Sequence, residues 1–401
     1  MKRRQFLHSL AGFSALPALS FHSSVMAAAP SGQSRFLLVF LRGGYDASNL
    51  LVPVGSHFYY EARPGIAIAK PGTNADAALG IDSYWGLHPA LKNSIYPLFQ
   101  NKEAAFIPFA GTDDLTRSHF ETQDSIELGQ PLTGSRNYQS GFMNRLAAVL
   151  SDNRQISAMA FTDQLPIAMR GNFQVANTAL KNPSRANIDA RQSNIIQQMY
   201  GDSQLGQQVS EGFQVRSEVA RDIQDEMNAA NRNAISAKGF ALEAQRVAHM
   251  MRDKYALGFI DVGGWDTHVD QGGAKGALAS KFDELGRGLL AYRDAMGSEW
   301  KNTTVVVLSE FGRTFRENGK RGTDHGHGSV YWVLGGGLRG GVVAGEQTEL
   351  TQNKLFQNRD YPVLNEYRAV LGGMFQKLYG LNQQQLATVF AGVTPRDLHL
   401  L

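Results

Sequence analysis

The chain has 401 residues, of which 43% are hydrophobic and 19% are charged, with 42 glycines and no cysteine. This length and apolar content exclude a disordered, collagenous or small disulfide-bonded protein, and the lack of cysteine excludes thiolate metal sites. The formal charge is +3, from 39 basic and 36 acidic residues, and without Lys2, Arg3 and Arg4 the two signs balance. A balanced charge argues against nucleic-acid binding by bulk electrostatics.

Residues 1–29 have the pattern of an export signal. The pair Arg3 and Arg4 is followed by a weakly apolar stretch to about Phe21 and then by small residues. This order is typical of a signal peptide. The arginine pair resembles a twin-arginine signal, which a receptor reads and whose pathway transports folded proteins. We expect cleavage near 27–29, the twin-arginine machinery as a partner, and a periplasmic or secreted protein. No later stretch is apolar over roughly 18 residues, so the mature form is expected to have no membrane span.

Short apolar runs alternate with helical patterns along the rest of the chain. The predicted strands are 36–41, 104–109, 156–161, 257–262, 303–308 and 330–334, and the predicted helices include 90–99, 141–150, 277–296 and 364–379. Alternation of this kind favours an α/β fold with a central, mostly parallel sheet flanked by helices. We expect residues 30–401 to form one such domain, with a helical cap inserted at about 186–255, where no strand-like run occurs.

Polar side chains follow the predicted strands, at the sheet edge where ligands bind in such folds. Asp46 follows the first strand; alone it suits a turn, and together with other acids it suits a metal site. After the second strand, Ser118 and Glu121 have the spacing of a capping box. Because helix amino termini also bind anions, the Ser118 hydroxyl is a candidate nucleophile, which His119 orients unless it binds the anion or simply packs.

Two more strand ends carry acids beside basic groups. Asp266 and His268 lie on the same side of an extended chain, which makes either a half-site for a hard cation or zinc, or a plain Asp–His hydrogen bond. Glu310 and Arg313 form either a local salt bridge or a metal ligand with an oxyanion clamp.

The densest cluster, Asp324, His325 and His327, lies among glycines directly before the strand at 330. Imidazoles are the commonest metal ligands, and the glycines let the backbone approach an ion closely. The cluster therefore indicates a metal or catalytic site, the alternative being a flexible surface loop.

Five motifs, in this order, resemble the exported bacterial family called domain of unknown function 1501 (DUF1501), which is similar to the alkaline phosphatase and sulfatase superfamily. The motifs are RGGYD at 42–46, SHF at 118–120, GWDTH at 264–268, SEFGRT at 309–314 and GTDHG at 322–326. The resemblance covers nearly all of residues 36–380. It implies an alkaline phosphatase-like three-layer sandwich and a metal-dependent hydrolase or transferase of small anionic phosphate or sulfate esters.

The resemblance also implies roles for individual residues. Ser118 would be the nucleophile, and Arg313 would stabilise charge. The implied ligands of one or two divalent ions, with Zn, Mn, Mg and Ca all open, are Asp46, Asp266, His268, Glu310 and either His325 or His327. Asp324 would be either an extra ligand or a hydrogen-bond partner of the ligands. The phosphatases carry Asp-His where this chain has Glu310-Phe311, so one imidazole ligand is missing. The alternative function is therefore a catalytically silent metal-binding or partner-binding protein on the same fold.

Overall fold

The computed structural model describes residues 33–180 and 239–401, so the predicted signal peptide at 1–29 and most of the predicted cap lie outside the described residues. The described strands are β1 (Arg35–Leu41), β2 (Leu51–Val52), β3 (Leu79–Gly80), β4 (Gly86–Leu87), β5 (Ala104–Gly111), β6 (Ala158–Ala160), β7 (Ala176–Asn177), β8 (Leu257–Val262), β9 (Thr303–Ser309), β10 (Ser329–Leu334) and β11 (Asn365–Glu366). The described α-helices are α1 (Ala47–Leu50), α2 (His57–Ala62), α3 (Ile95–Gln100), α4 (His119–Leu128), α5 (Phe142–Ser151), α6 (Phe240–Asp253), α7 (Ala277–Met296), α8 (Tyr367–Tyr379) and α9 (Gln383–Val389).

Eight strands form one sheet in the order β11-β5-β10-β9-β1-β8-β6-β7, and β2, β4 and β3 form a small second sheet. In the large sheet every neighbouring pair is parallel except the two pairs that β10 makes, with β5 and with β9. The expected α/β fold with a mostly parallel sheet is therefore confirmed.

Alternating side chains of β1 explain the layers. Phe36, Leu38 and Phe40 pack into one hydrophobic cluster with α5 and α8. Leu37 and Val39 pack into another cluster with α6 and α7. A strand that is apolar on both faces must be covered twice, which is why helices flank the sheet on both sides.

The six predicted strands are all present, with small shifts at their ends. The predicted helix 90–99 is instead a short 3₁₀ turn at Pro89–Leu91 followed by α3. Pro97 lies in the first turn of α3, where its missing N–H costs no hydrogen bond, whereas a continuous helix would need that donor. The carboxyl end of the predicted cap is helix α6, which packs against α7. Among the described residues, no helix is both long and apolar enough for a membrane crossing.

The register of the strands brings distant loops to one edge of the sheet. Leu41 at the end of β1 lies beside Val262 at the end of β8 and Ser309 at the end of β9. Because β10 is antiparallel, its first residue, Ser329, pairs with Ala110 near the end of β5. The loops that follow β1, β5, β8 and β9 and the loop that precedes β10 therefore meet at this edge.

Candidate functional site

A cluster of two imidazoles and one carboxylate lies at this edge. The ligand atoms of His119, Asp266 and His325 lie within 4.8 Å of one another. His119 is the first residue of α4, Asp266 is in the loop after β8, and His325 is in the loop before β10. The His119 Nε2 atom is 3.0 Å from His325 Nε2 and 3.6 Å from Asp266 Oδ2, and His325 Nε2 is 3.2 Å from Asp266 Oδ1.

Glu310 orients the His119 ring. Its Oε1 atom accepts from His119 Nδ1 at 2.7 Å, from the Gly43 N–H at 2.8 Å and from Gln123 Nε2 at 2.9 Å. Burial acts to raise the pKa of Glu310, but these hydrogen bonds outweigh it and the pKa lies below its usual value. The hydrogen bond to Glu310 raises the pKa of His119. Glu310 is fully buried and thus acts on the cluster through His119.

The backbone of Arg117 orients the His325 ring, whose Nδ1 is 3.1 Å from the Arg117 carbonyl oxygen. A carbonyl oxygen can only accept, so this nitrogen of His325 donates and its Nε2 presents a lone pair to the cluster. Burial, followed by the charge of His119, lowers the pKa of His325. Glu310 likewise accepts the Nδ1–H of His119, so the Nε2 atoms of the two rings face each other. They can share one proton or one cation, whereas the Nε2 lone pairs of two neutral rings held this way would repel each other.

Arg313 holds Asp266 in place. Its guanidinium is fully buried and donates to Asp266 Oδ1, to the carbonyls of Gly43 and Trp265, and to those of Gly44 and Thr323. Burial raises the pKa of Asp266, but the charge and hydrogen bond of Arg313 outweigh it, so the pKa is lowered. The remaining N–H of Arg313 lies 3.4 Å from His268 Nε2. Arg313 thus connects loops of the protein, which differs from its expected role as an oxyanion clamp.

His268 lies at the margin of the cluster. Its Nε2 atom is 2.9 Å from Asp266 Oδ1 and 3.2 Å from His325 Nε2, and its Nδ1 atom is 3.2 Å from Asp324 Oδ1. Asp324 is about half exposed and contacts His268 and Asn318, so it supports the ring from outside. The Asp266–His268 pair is thus in close contact, at the distance of an ion pair, within a larger group of imidazoles.

Two residues expected at the site face elsewhere. Asp46 is fully buried, and its carboxylate pairs with Arg63 at 2.6 and 3.0 Å and accepts from Gln271 at 2.6 Å. His327 is buried with its ring 4.9 Å from that of Phe356, and burial lowers its pKa to about 4. Of the two late histidines the structure brings His325 into the cluster, and Asp46 belongs to a separate buried ion pair.

Ser118 is the N-cap of α4, one residue before His119. Its backbone is extended and its side chain makes no cap hydrogen bond, so the expected capping box with Glu121 is not formed. Among the described residues, no hydrogen bond joins the hydroxyl of Ser118 to the cluster. The hydroxyl is partly exposed at the start of a ten-residue helix, where free N–H groups and the helix dipole favour an anion.

Sequence reasoning missed two groups that shape the site, the Gln123 side chain and the Arg117 carbonyl, and it did not predict how Phe311 packs. Gln123 lies one helical turn after His119 and binds Glu310, a contact that the i, i+4 spacing could have indicated. The carbonyl of Arg117 has no signal in the sequence, because any residue has one. The ring of Phe311 is tilted against those of both His119 and His325, with ring centroids 4.8 and 5.0 Å away.

The cluster fits a divalent transition metal. Two imidazole nitrogens and one carboxylate oxygen, leaving a position open, are a ligand set typical of catalytic zinc sites. The Nδ1–H of each imidazole donates a hydrogen bond to an oxygen, as the second nitrogen of a ligating histidine almost always does. His119, His325 and Asp266 would therefore hold the ion.

Comparison with known proteins gives a family but no established activity. The family model described as "Protein of unknown function (DUF1501)" matches residues 33–390. No curated protein matches the chain. A crystal structure of Ps i-CgsB in complex with k-i-k-neocarrahexaose covers 88% of this chain and 74% of its own, with 10% identity and a TM-score of 0.35. A second crystal structure of Ps i-CgsB has 11% identity, a TM-score of 0.34 and the same coverage. TM-scores this low do not establish a shared fold.

The family model matches most of the length of this chain, so the chain belongs to the DUF1501 family.

Proposed function

We propose that the protein is a metal-dependent hydrolase or transferase of phosphate or sulfate esters on an alkaline phosphatase-like fold. The observation that carries the proposal is the convergence of His119, His325 and Asp266 beside the amino terminus of α4. Two imidazoles among the ligands favour zinc over magnesium or calcium. When bound, a divalent ion would neutralise the nonbridging oxygens of the ester.

In this proposal the residues of the chain divide the work. The start of α4 binds the anionic group, and the Ser118 oxygen attacks phosphorus or sulfur as its proton passes to solvent. The bond to the alcohol breaks, and that alcohol leaves with a proton taken from water. Water or another alcohol then cleaves the Ser118 ester and restores the hydroxyl. Glu310 and Arg313 hold His119 and Asp266 in place throughout.

The direct experiment incubates the purified chain with zinc or manganese and a panel of aryl phosphates, phosphodiesters and aryl sulfates. We expect Ser118→Ala to abolish turnover and to leave metal binding intact, and His325→Ala to lose both. Ser151→Ala, on an exposed helical serine far along the chain, is the matched control. Turnover that survives in Ser118→Ala would exclude this nucleophile.

A catalytically silent metal-binding or partner-binding protein is the second candidate. Phe311 favours it, because an apolar ring packs on both cluster histidines where the phosphatases carry a ligand. The same experiment separates the two candidates: metal bound without turnover of any ester favours the silent protein.

We also propose export through the twin-arginine pathway to the periplasm or beyond. The support is the order of charged, apolar and small residues over 1–29. Replacing Arg3 and Arg4 by lysine is expected to retain the unprocessed chain in the cytoplasm, whereas normal export of that variant would refute the assignment.

A further inference from the structure

The carbonyl that orients His325 belongs to a residue in an unfavourable backbone conformation. Arg117 has φ +53°, in the left-handed region that residues other than glycine rarely adopt. Its carbonyl oxygen is 3.1 Å from His325 Nδ1. If Arg117 relaxed to a negative φ, the peptide would turn and the carbonyl would leave the imidazole. Some other contact must therefore hold Arg117 in this conformation.

That contact is a buried carboxylate. One oxygen of Asp360 accepts from Arg117 Nε at 2.9 Å and from Nη2 at 2.7 Å, and Asp360 is fully buried. The backbone of Asp360 is itself fixed, because it exchanges two hydrogen bonds with Phe356, at 2.8 and 3.0 Å. Gln357 adds a second acceptor for Arg117 Nη2 at 2.7 Å. The guanidinium is thus attached to a rigid, separate loop.

We propose that Asp360 is a positioning residue for the metal centre: by gripping the Arg117 side chain it holds the Arg117 carbonyl against His325 and so aims His325 Nε2 at the cluster. The relay links a loop near the end of the chain to a ligand that it does not touch. The inference rests on the proposed function only in its metal-binding consequence, since the orientation of His325 exists without an ion.

The test uses four variants of the full chain: Asp360→Asn, Arg117→Ala, Arg117→Gly and the double variant Arg117→Gly/Asp360→Asn. Glycine adopts a positive φ without penalty, so Arg117→Gly keeps the carbonyl in place and no longer needs the carboxylate. Lys102→Gly, at φ +62° on the exposed surface, controls for adding a glycine at a positive φ.

Two readouts apply. In the metal-free protein, ¹⁵N NMR of the histidine rings reports which nitrogen of His325 carries the proton. We expect the Nδ1–H tautomer in the wild type and Arg117→Gly, and a mixture in Asp360→Asn and Arg117→Ala. Titration with Mn²⁺ alone is expected to show affinity about 10- to 100-fold weaker in Asp360→Asn and Arg117→Ala. Arg117→Gly and Arg117→Gly/Asp360→Asn should differ from each other in Mn²⁺ affinity by no more than about twofold.

An unchanged His325 tautomer in Asp360→Asn would overturn the inference. So would a loss in Arg117→Gly equal to that in Arg117→Ala, since a purely structural ion pair gives no rescue by glycine. If the wild type fails to bind Mn²⁺, the proposed metal function fails, and the tautomer measurement still decides the role of Asp360.

Discussion

Replacing Glu310 by glutamine separates the geometry of the proposed metal centre from its charge. Three N–H donors converge on Glu310 Oε1, and the Ser309 hydroxyl donates to Oε2 at 2.8 Å. In Glu310→Gln the amide oxygen can take the place of Oε1, and the amide N–H₂ then faces Ser309, whose hydroxyl can also accept. The variant should therefore keep its hydrogen bonds and lose only the charge.

The expected magnitudes follow from these contacts. Loss of the charge lowers the basicity of His119, and Glu310→Gln should weaken metal binding about 10-fold, near 1.4 kcal/mol. Glu310→Ala also strands three donors and frees the His119 ring to rotate, so its loss should reach about 100-fold. The order of affinity is therefore wild type, then Gln, then Ala.

Competition with a chromophoric chelator for Zn²⁺, at about pH 8, where imidazoles are largely neutral, measures these affinities. Glu121→Gln, on an exposed acid in the first turn of the same helix, is the matched control and should bind as the wild type does. Equal affinity in the wild type and Glu310→Ala would refute the assignment of Glu310 as the group that orients His119.

Three further predictions concern the surroundings of the site. Asp46→Asn leaves the buried Arg63 guanidinium without its counter-charge, so the free energy of unfolding in urea should fall by about 3–5 kcal/mol while folded chains still bind metal. Burial lowers the pKa of His88 to about 4, so between about pH 6.5 and pH 4 this imidazole binds a proton in the unfolded chain but not in the folded chain. The contribution of His88 to stability is therefore full above about pH 6.5 and falls by about 3 kcal/mol toward pH 4. His88→Asn should remove this part of the decline and leave the part that His327 contributes. Gly43→Ala would bring a Cβ to 2.6 Å from the Asp266 backbone nitrogen at φ +125°, so it should weaken metal binding and cost about 1–3 kcal/mol.

Each of these predictions has a matched control. Asp283→Asn breaks an exposed helical pair with Arg287 and should cost less than about 1 kcal/mol. His57→Asn removes an imidazole that is 87% exposed and is the matched control for the loss of the buried His88 ring. Gly134→Ala is strained at φ +97° but meets no atom within 4 Å, so it should spare the metal centre. Loss of metal from folded Asp46→Asn would instead make Asp46 a ligand.

The main strands and the edge that carries the site could be predicted from the sequence. Runs such as 36–41 are apolar on both faces, which only a doubly covered strand satisfies, and polar residues then follow at the strand ends. His119, Asp266 and His325 were accordingly all among the candidates. Local spacing in the sequence identified these candidates, because it relates residues that are close together in the chain.

The partners of each side chain could not be predicted in the same way. Asp46 follows β1 as a ligand would, yet its partner Arg63 comes from the end of α2, and nothing near either residue marks the pair. His325 and His327 have the same spacing from glycines, but the chain around Gly326 binds Gly312 and is no regular strand, so the two rings diverge. Which polar group meets which depends on tertiary contacts between distant loops.

Because β10 is antiparallel and comes late in the chain, the cluster can form only once this strand is in place. His325 reaches the shared edge because it precedes a strand that inserts between β5 and β9, late in the chain. Before this strand is in place, only two of the three cluster side chains, His119 and Asp266, can lie at this edge. If the proposed metal centre binds an ion, we expect that ion to be acquired only after β10 has taken its place in the sheet.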